Sequence, residues 1–156
     1  MIVRKAEIKD IPRMEKLLMQ VNNVHADGRP DLFIHNCQKY AAEDLEILLE
    51  DSSRPIFVGV DEEDCVQGYC FCVITETIGS HNLHDIKSLY IDDLCVDESV
   101  RGRGVGREIY KAVTEYAREI GCYHITLNVW SCNPTAMRFY DSLGMKELKK
   151  TMEVIL

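Results

Sequence analysis

Val96-Asp97-Glu98-Ser99-Val100-Arg101-Gly102-Arg103-Gly104-Val105-Gly106-Arg107 joins a strand-like pattern to a helical one, and its reading decides the fold. Upstream, residues 87–96 read as a central strand. Downstream, Val105, Ile109, Val113, Tyr116 and Ile120 recur at helical spacing over residues 104–120. Between the two, closely spaced glycines let the main chain turn tightly and approach a ligand. The free amides and positive dipole end of the following helix suit an anion. Arg101, Arg103 and Arg107, with Lys111 behind them, add basic charge in an otherwise acidic chain. The segment reads as a cradle for a pyrophosphate; the competing reading is a glycine-rich turn with solvated arginines. A Walker loop is excluded because no Gly-Lys-Ser/Thr ends the run. The dinucleotide fingerprint is missing too, since the glycines give G-x-G-x-G.

Working towards the amino terminus, residues 2–6 read as a first strand, and Asp10 caps a helix whose apolar set is Ile11, Met14, Leu17, Leu18, Val21 and Val24. Gly28 and Pro30 mark residues 25–36 as a loop near one end of the sheet. A second helix is expected over residues 39–50. Strands at 56–60 and 66–75 form a hairpin across an acidic turn at 61–64, which lacks the spaced ligands of a calcium loop. Towards the carboxy terminus, residues 123–129 alternate as a strand, and Asn133 caps a helix with Pro134 at its first position. Leu143-Gly144 closes that helix. Residues 145–155 are expected to supply the last sheet elements. This order predicts one α/β domain over residues 1–156, built on a mixed sheet.

The formal charge of −8, from 26 acids against 18 bases, argues against nucleic acid or an anionic membrane as main partner and suits a cationic small molecule. Seven cysteines form an odd set scattered through hydrophobic runs, without paired C-x-x-C spacing, so a reducing compartment is expected and no metal site. The first ten residues, MIVRKAEIKD, lack an apolar signal region, and a cytoplasmic location is the default expectation.

Two segments carry a family resemblance. Arg101-Gly102-Arg103-Gly104-Val105-Gly106 resembles the R/Q-x-x-G-x-G/A signature of the GCN5-related N-acetyltransferase (GNAT) superfamily. Asn133-Pro134-Thr135-Ala136-Met137-Arg138-Phe139-Tyr140, followed by Leu143-Gly144-Met145, is similar to its second signature, with methionine in place of the final phenylalanine. The order of elements agrees along the whole chain. The resemblance implies a mostly antiparallel sheet, splayed between its fourth and fifth strands and flanked by helices, with acetyl-coenzyme A in the gap. It further implies that the main chain over Leu94, Cys95 and Val96 meets the pantetheine arm and that residues 101–107 hold the pyrophosphate. A homodimer through the carboxy-terminal strands is a common assembly among such proteins.

Acetylation of an amine needs a neutral nitrogen, a group to take its proton and an acid for the departing thiolate. By resemblance Tyr140 is the general acid; its competing role is as a core aromatic. Asn133 is read both as helix cap and as cofactor contact. Asp92 and Asp93 interrupt an apolar strand, and strand periodicity places them on opposite faces. Burial obliges at least one of them to find a partner. The pair resembles the acidic segment of polyamine acetyltransferases, which makes Asp92 the base, directly or through water, and Asp93 a substrate contact. Asp27 and Asp31 in the predicted loop add negative charge for a cationic substrate, and His25 beside them is read as a substrate contact or an exposed loop histidine. A nucleophilic Cys132 is disfavoured because no Cys-His arrangement accompanies it. The implied activity is direct acetyl transfer from acetyl-coenzyme A to a small cationic amine, with peptide amino-terminal acetylation and non-catalytic coenzyme A binding as the competing readings.

Overall fold

Five strands assemble in sequence order into one sheet, β1-β2-β3-β4-β5. The computed structural model describes residues Met1–Leu156. The strands are β1 (Ile2–Lys5), β2 (Ile56–Val60), β3 (Val66–Thr77), β4 (Ile86–Val96) and β5 (His124–Leu127). The helices are α1 (Ile11–Gly28), α2 (Ala42–Glu50), α3 (Val105–Glu119) and α4 (Pro134–Ser142). β1 to β4 pair antiparallel. β5 runs parallel to β4, because α3 forms the crossover between them. The expected mixed, mostly antiparallel sheet is therefore what the chain forms.

Each face of the sheet has its own core. On one face α1 and α2 cover Ile56, Val58, Val60, Tyr69, Phe71 and Cys95. On the other, Val105, Ile109, Val113 and Ala117 of α3 pack on Phe57, Cys70, Cys72, Leu89 and Ile91. The sequence-derived stripe of α3 thus turns slightly, with Ala117 buried in place of Tyr116 and Ile120.

The sheet opens between its fourth and fifth strands, as the resemblance implies. β4 and β5 stay paired from Ser88↔His124 to Ile91↔Leu127, and β4 then continues to Val96 with no strand beside it on that side. At the same level β4 carries a bulge. Phe71 of β3 faces Asp93, whereas Cys72 faces Ile91, so Asp92 is the additional residue.

Several sequence expectations change. Asp10 makes no side-chain cap to α1; its carboxylate instead accepts the Glu7 amide at 2.8 Å and pairs with Arg4 at 2.7 Å. α1 runs through His25 and Asp27 to Gly28, and the loop begins only at Arg29, whose amide bonds to His25 O at 2.8 Å. Gly28 serves close approach there, since a Cβ would lie 2.6 Å from Cys132 Sγ. α2 starts at Ala42, because the Asp44 carboxylate accepts from the Ala41 amide at 2.9 Å and fixes the first turn. Residues 145–156 form neither strand nor helix. Their apolar members Leu148, Met152, Val154, Ile155 and Leu156 stay exposed with no face to cover, while Glu153 anchors the tail on Arg29 at 2.5 Å. No helix is long and apolar enough to cross a membrane.

Candidate active site

The end of β4 is fixed before the glycine turn begins. Asp97 is almost fully buried, receives the Ser99 amide at 2.8 Å and hydroxyl at 2.7 Å, and pairs with the Arg13 guanidinium. Burial opposes its charge, but the Ser99 bonds and Arg13 outweigh that and hold its pKa below the usual carboxylate range. The chain then passes Gly102 and Gly104 at φ +79° and +86°, a region that disfavours side chains. A Cβ at either position would meet nothing within 4 Å, so both glycines border open space. Gly104 caps α3 without any side-chain bond, leaving the first-turn amides free for an external acceptor. Gly106 acts differently, through packing. A Cβ there would lie 3.1 Å from Phe139 and 3.3 Å from Val96, so its absence lets α3 approach α4 and β4 closely.

These residues fit a pyrophosphate, with the open edge of residues 92–96 leading away from it. The basic groups divide unequally. Arg101 Nε donates to Val96 O at 3.1 Å, and Arg107 reaches Ser142 Oγ at 3.2 Å, so both also brace the site. Arg103 stays exposed.

The acidic pair differs most from its sequence reading. The bulge cancels the alternation, and both carboxylates emerge on the α1–α2 face. Asp92 receives Lys39 Nζ at 2.8 Å on each oxygen and the Tyr40 hydroxyl at 2.8 Å. Asp93 receives the hydroxyl of fully buried Tyr69 at 2.8 Å. Some of the Asp93 surface remains open, yet its carboxyl lies deep among protein atoms, and burial pushes its pKa up to about 6. Tyr69 and Lys39 favour the charged form and the neighbouring Asp92 disfavours it. Asp93 consequently exchanges its proton near neutrality, whereas Asp92 is held by an ammonium and a phenol.

Tyr140 comes from α4, whose start is set by Asn133 Oδ1 accepting the Ala136 amide at 3.1 Å. The cap role read from the sequence is therefore present. Burial raises the Tyr140 phenol well above its ordinary pKa, and the neighbouring acidic groups of Cys70, Asp93 and Cys95 raise it further. A phenol held protonated near Asp93 can give up a proton to a stronger base. Cys95 itself is buried, with its thiol pushed up to about 12, which leaves it inert as a nucleophile.

The acids expected to attract a cation from residues 25–36 are committed elsewhere. Arg29 holds Asp31 in a two-point bond at 2.9 and 2.7 Å, and Asp27 pairs with His35 at 2.9 Å. His25 lies on α1 rather than in a loop, and burial followed by the Lys39 charge lowers its pKa. It packs on Phe33 at 5.1 Å, and Phe33 meets Trp130 edge-on at 5.0 Å, giving an aromatic wall near Lys39. Lys39, Tyr40 and Tyr69 touch the acid pair of the candidate site, and sequence reasoning misses them. Only Tyr69 leaves a signal, as a hydroxyl within an apolar strand directly across the sheet from the acid-bearing segment.

The acetyltransferase (GNAT) family matches this chain over residues 18–145. The chain is 29% identical over 145 residues to a Bos taurus thialysine N-epsilon-acetyltransferase, covering 90% of this chain and 75% of that protein. A shorter stretch of 58 residues is 36% identical to glucosamine 6-phosphate N-acetyltransferase 1 of Oryza sativa subsp. japonica, over 37% of this chain and 33% of that one. Neither is named for a polyamine, so the similarity is to amine acetyltransferases more broadly. Among solved structures, the tetramutant of the BH1408 protein from Bacillus halodurans matches with a TM-score of 0.95 and 34% identity over the full length of both chains. A glycine cradle opening on a splayed sheet, with an acid pair and a protonated phenol beside it, is thus found in a chain that belongs to the acetyltransferase (GNAT) family, the acetyl-coenzyme-A-dependent N-acetyltransferases.

Proposed function

We propose that this protein transfers the acetyl group of acetyl-coenzyme A directly to the primary amine of a small cationic substrate. The observation that carries the reading is the bulge at Asp92, which turns two carboxylates of different character towards one face beside Tyr140. Asp93 takes the proton of the incoming ammonium, Asp92 anchors a positive charge, and Tyr140 returns a proton to the departing sulfur. The base role thereby moves from Asp92 to its neighbour, because Asp92 is engaged by Lys39 and Tyr40. Gly102, Gly104 and the amides opening α3 bind the pyrophosphate, and the β4 edge at Leu94, Cys95 and Val96 guides the pantetheine arm.

A small acceptor is favoured over a peptide because Lys39 and Tyr40 close over Asp92, with the His25, Phe33 and Trp130 wall alongside. The relatives act, by name, on thialysine and glucosamine 6-phosphate, which are both small. With cationic amines as acceptors, Asp92→Asn is expected to raise KM about tenfold or more while kcat changes less, the pattern of a lost ground-state contact. A loss confined to kcat would return Asp92 to the proton-transfer step and contradict this division of roles.

A further inference from the structure

Lys39 occupies the acceptor side of the site with the chemical group that an acceptor would bring. Its Nζ lies 2.8 Å from both oxygens of Asp92, next to Asp93. Tyr40 fixes this placement: its ring stacks on Phe71 at 5.5 Å, and its hydroxyl bonds to the same carboxylate. Lys39 is itself half exposed and sits between two helices, in a stretch of chain without regular structure. A primary ammonium on an unbranched alkyl stem is therefore presented by the chain beside its own candidate base.

We infer that Lys39 is a self-modification site: the protein acetylates the Nζ of its own Lys39 when acetyl-coenzyme A is bound and no external amine is present. This rests on the transferase reading above and adds a second acceptor to the same site. The ammonium gives one proton to Asp93 and from there to solvent. The neutral nitrogen then forms the N–C bond to the acetyl carbon as the C–S bond breaks. Tyr140 delivers its proton to the coenzyme A sulfur and is restored by the nitrogen's surplus proton, so one amide, one free thiol and one solvent proton result. The reaction is expected to be slow, since Asp92 favours the charged ammonium and raises the Lys39 pKa against the opposing effect of burial. Acetylation removes the charge and with it the ion pair to Asp92.

The test incubates the full chain with acetyl-coenzyme A alone and follows intact mass and peptide maps over time. The expected result is gain of one acetyl group, mapped to Lys39, at a first-order rate independent of protein concentration. That rate should exceed the rate at exposed Lys149 and Lys150 by about tenfold or more, one decade in rate constant. Tyr140→Phe should slow acetylation of Lys39 and leave the other lysines unchanged. Lys39→Arg keeps a cation on Asp92 and should abolish acetylation at position 39 while exposed Lys149 and Lys150 are modified at their unchanged slow rate. Turnover of small amines with Lys39 unmodified, or modified no faster than surface lysines, would overturn this inference alone. Absence of transfer to any amine would overturn the transferase reading as well.

Discussion

In the proposed mechanism Asp93 is the base, and its environment makes opposite demands on activity and stability. With its pKa raised to about 6, it must be ionised to accept a proton, so kcat/KM for amine acetylation should fall as pH drops below about 6. Because its folded pKa lies above the ordinary 3.8, the native state binds more protons than the unfolded chain between about pH 4 and 6. The contribution of Asp93 to stability therefore declines as pH rises through that window and is unfavourable above it. Asp93→Asn should lose the acid limb and most activity, yet gain about 2 kcal/mol in urea unfolding at pH 8, a gain that disappears near pH 4. Tyr140→Phe should lower kcat about 100-fold with acetyl-coenzyme A affinity retained, checked by stopped-flow turnover and calorimetric binding. Tyr140 is legible from the second signature, but the placement of Asp93 is not. A period of two assigns faces correctly only in an uninterrupted strand, and one added residue reverses every assignment beyond it.

At the scale of elements, α3 and α4 position the cofactor cradle and the candidate acid through contacts that can be tested singly. Gly106→Ala brings a Cβ to 3.1 Å from Phe139 and 3.3 Å from Val96, so these side chains must give by a few tenths of an ångström in a closely packed junction. Thermal unfolding should report a loss of about 1–3 kcal/mol, with weaker acetyl-coenzyme A binding because the same turn opens the cradle. Asn133→Ala removes the bond to the Ala136 amide and should cost about 1 kcal/mol in the same assay, leaving Tyr140 less firmly held. Most of this level is readable from the sequence. The strand, turn and helix around residues 96–107 declare themselves through glycine spacing and a helical apolar stripe, and Asn133-Pro134 announces the start of α4. The carboxy end of α1 is not readable in the same way. Gly28 looks like a helix stop, whereas its lack of a side chain serves packing on Cys132, a contact between distant parts of the chain. The tail at 145–156 resembles a strand through its apolar residues, but no face is available to bury them.

Across the whole molecule, two cores on either face of one sheet hold β4 while β5 diverges from it. That divergence creates the cleft, and the sheet order is legible in the sequence because consecutive apolar runs pair as neighbours. What a single sequence does not carry is the meeting of Lys39 and Tyr40 with Asp92, made on the α1–α2 face by a segment with no periodic signal. Acetyl transfer to a small cationic amine is tested most directly by time-resolved release of coenzyme A from acetyl-coenzyme A. The acceptors are thialysine, lysine, polyamines, aminoglycosides, glucosamine 6-phosphate and short peptides, with each acetylated product identified by mass. Selective turnover of a small cationic amine, lost in Tyr140→Phe and Asp93→Asn, is the expected result. Turnover of peptides alone, or acetyl-coenzyme A binding with no acetylated product from any amine, would contradict it.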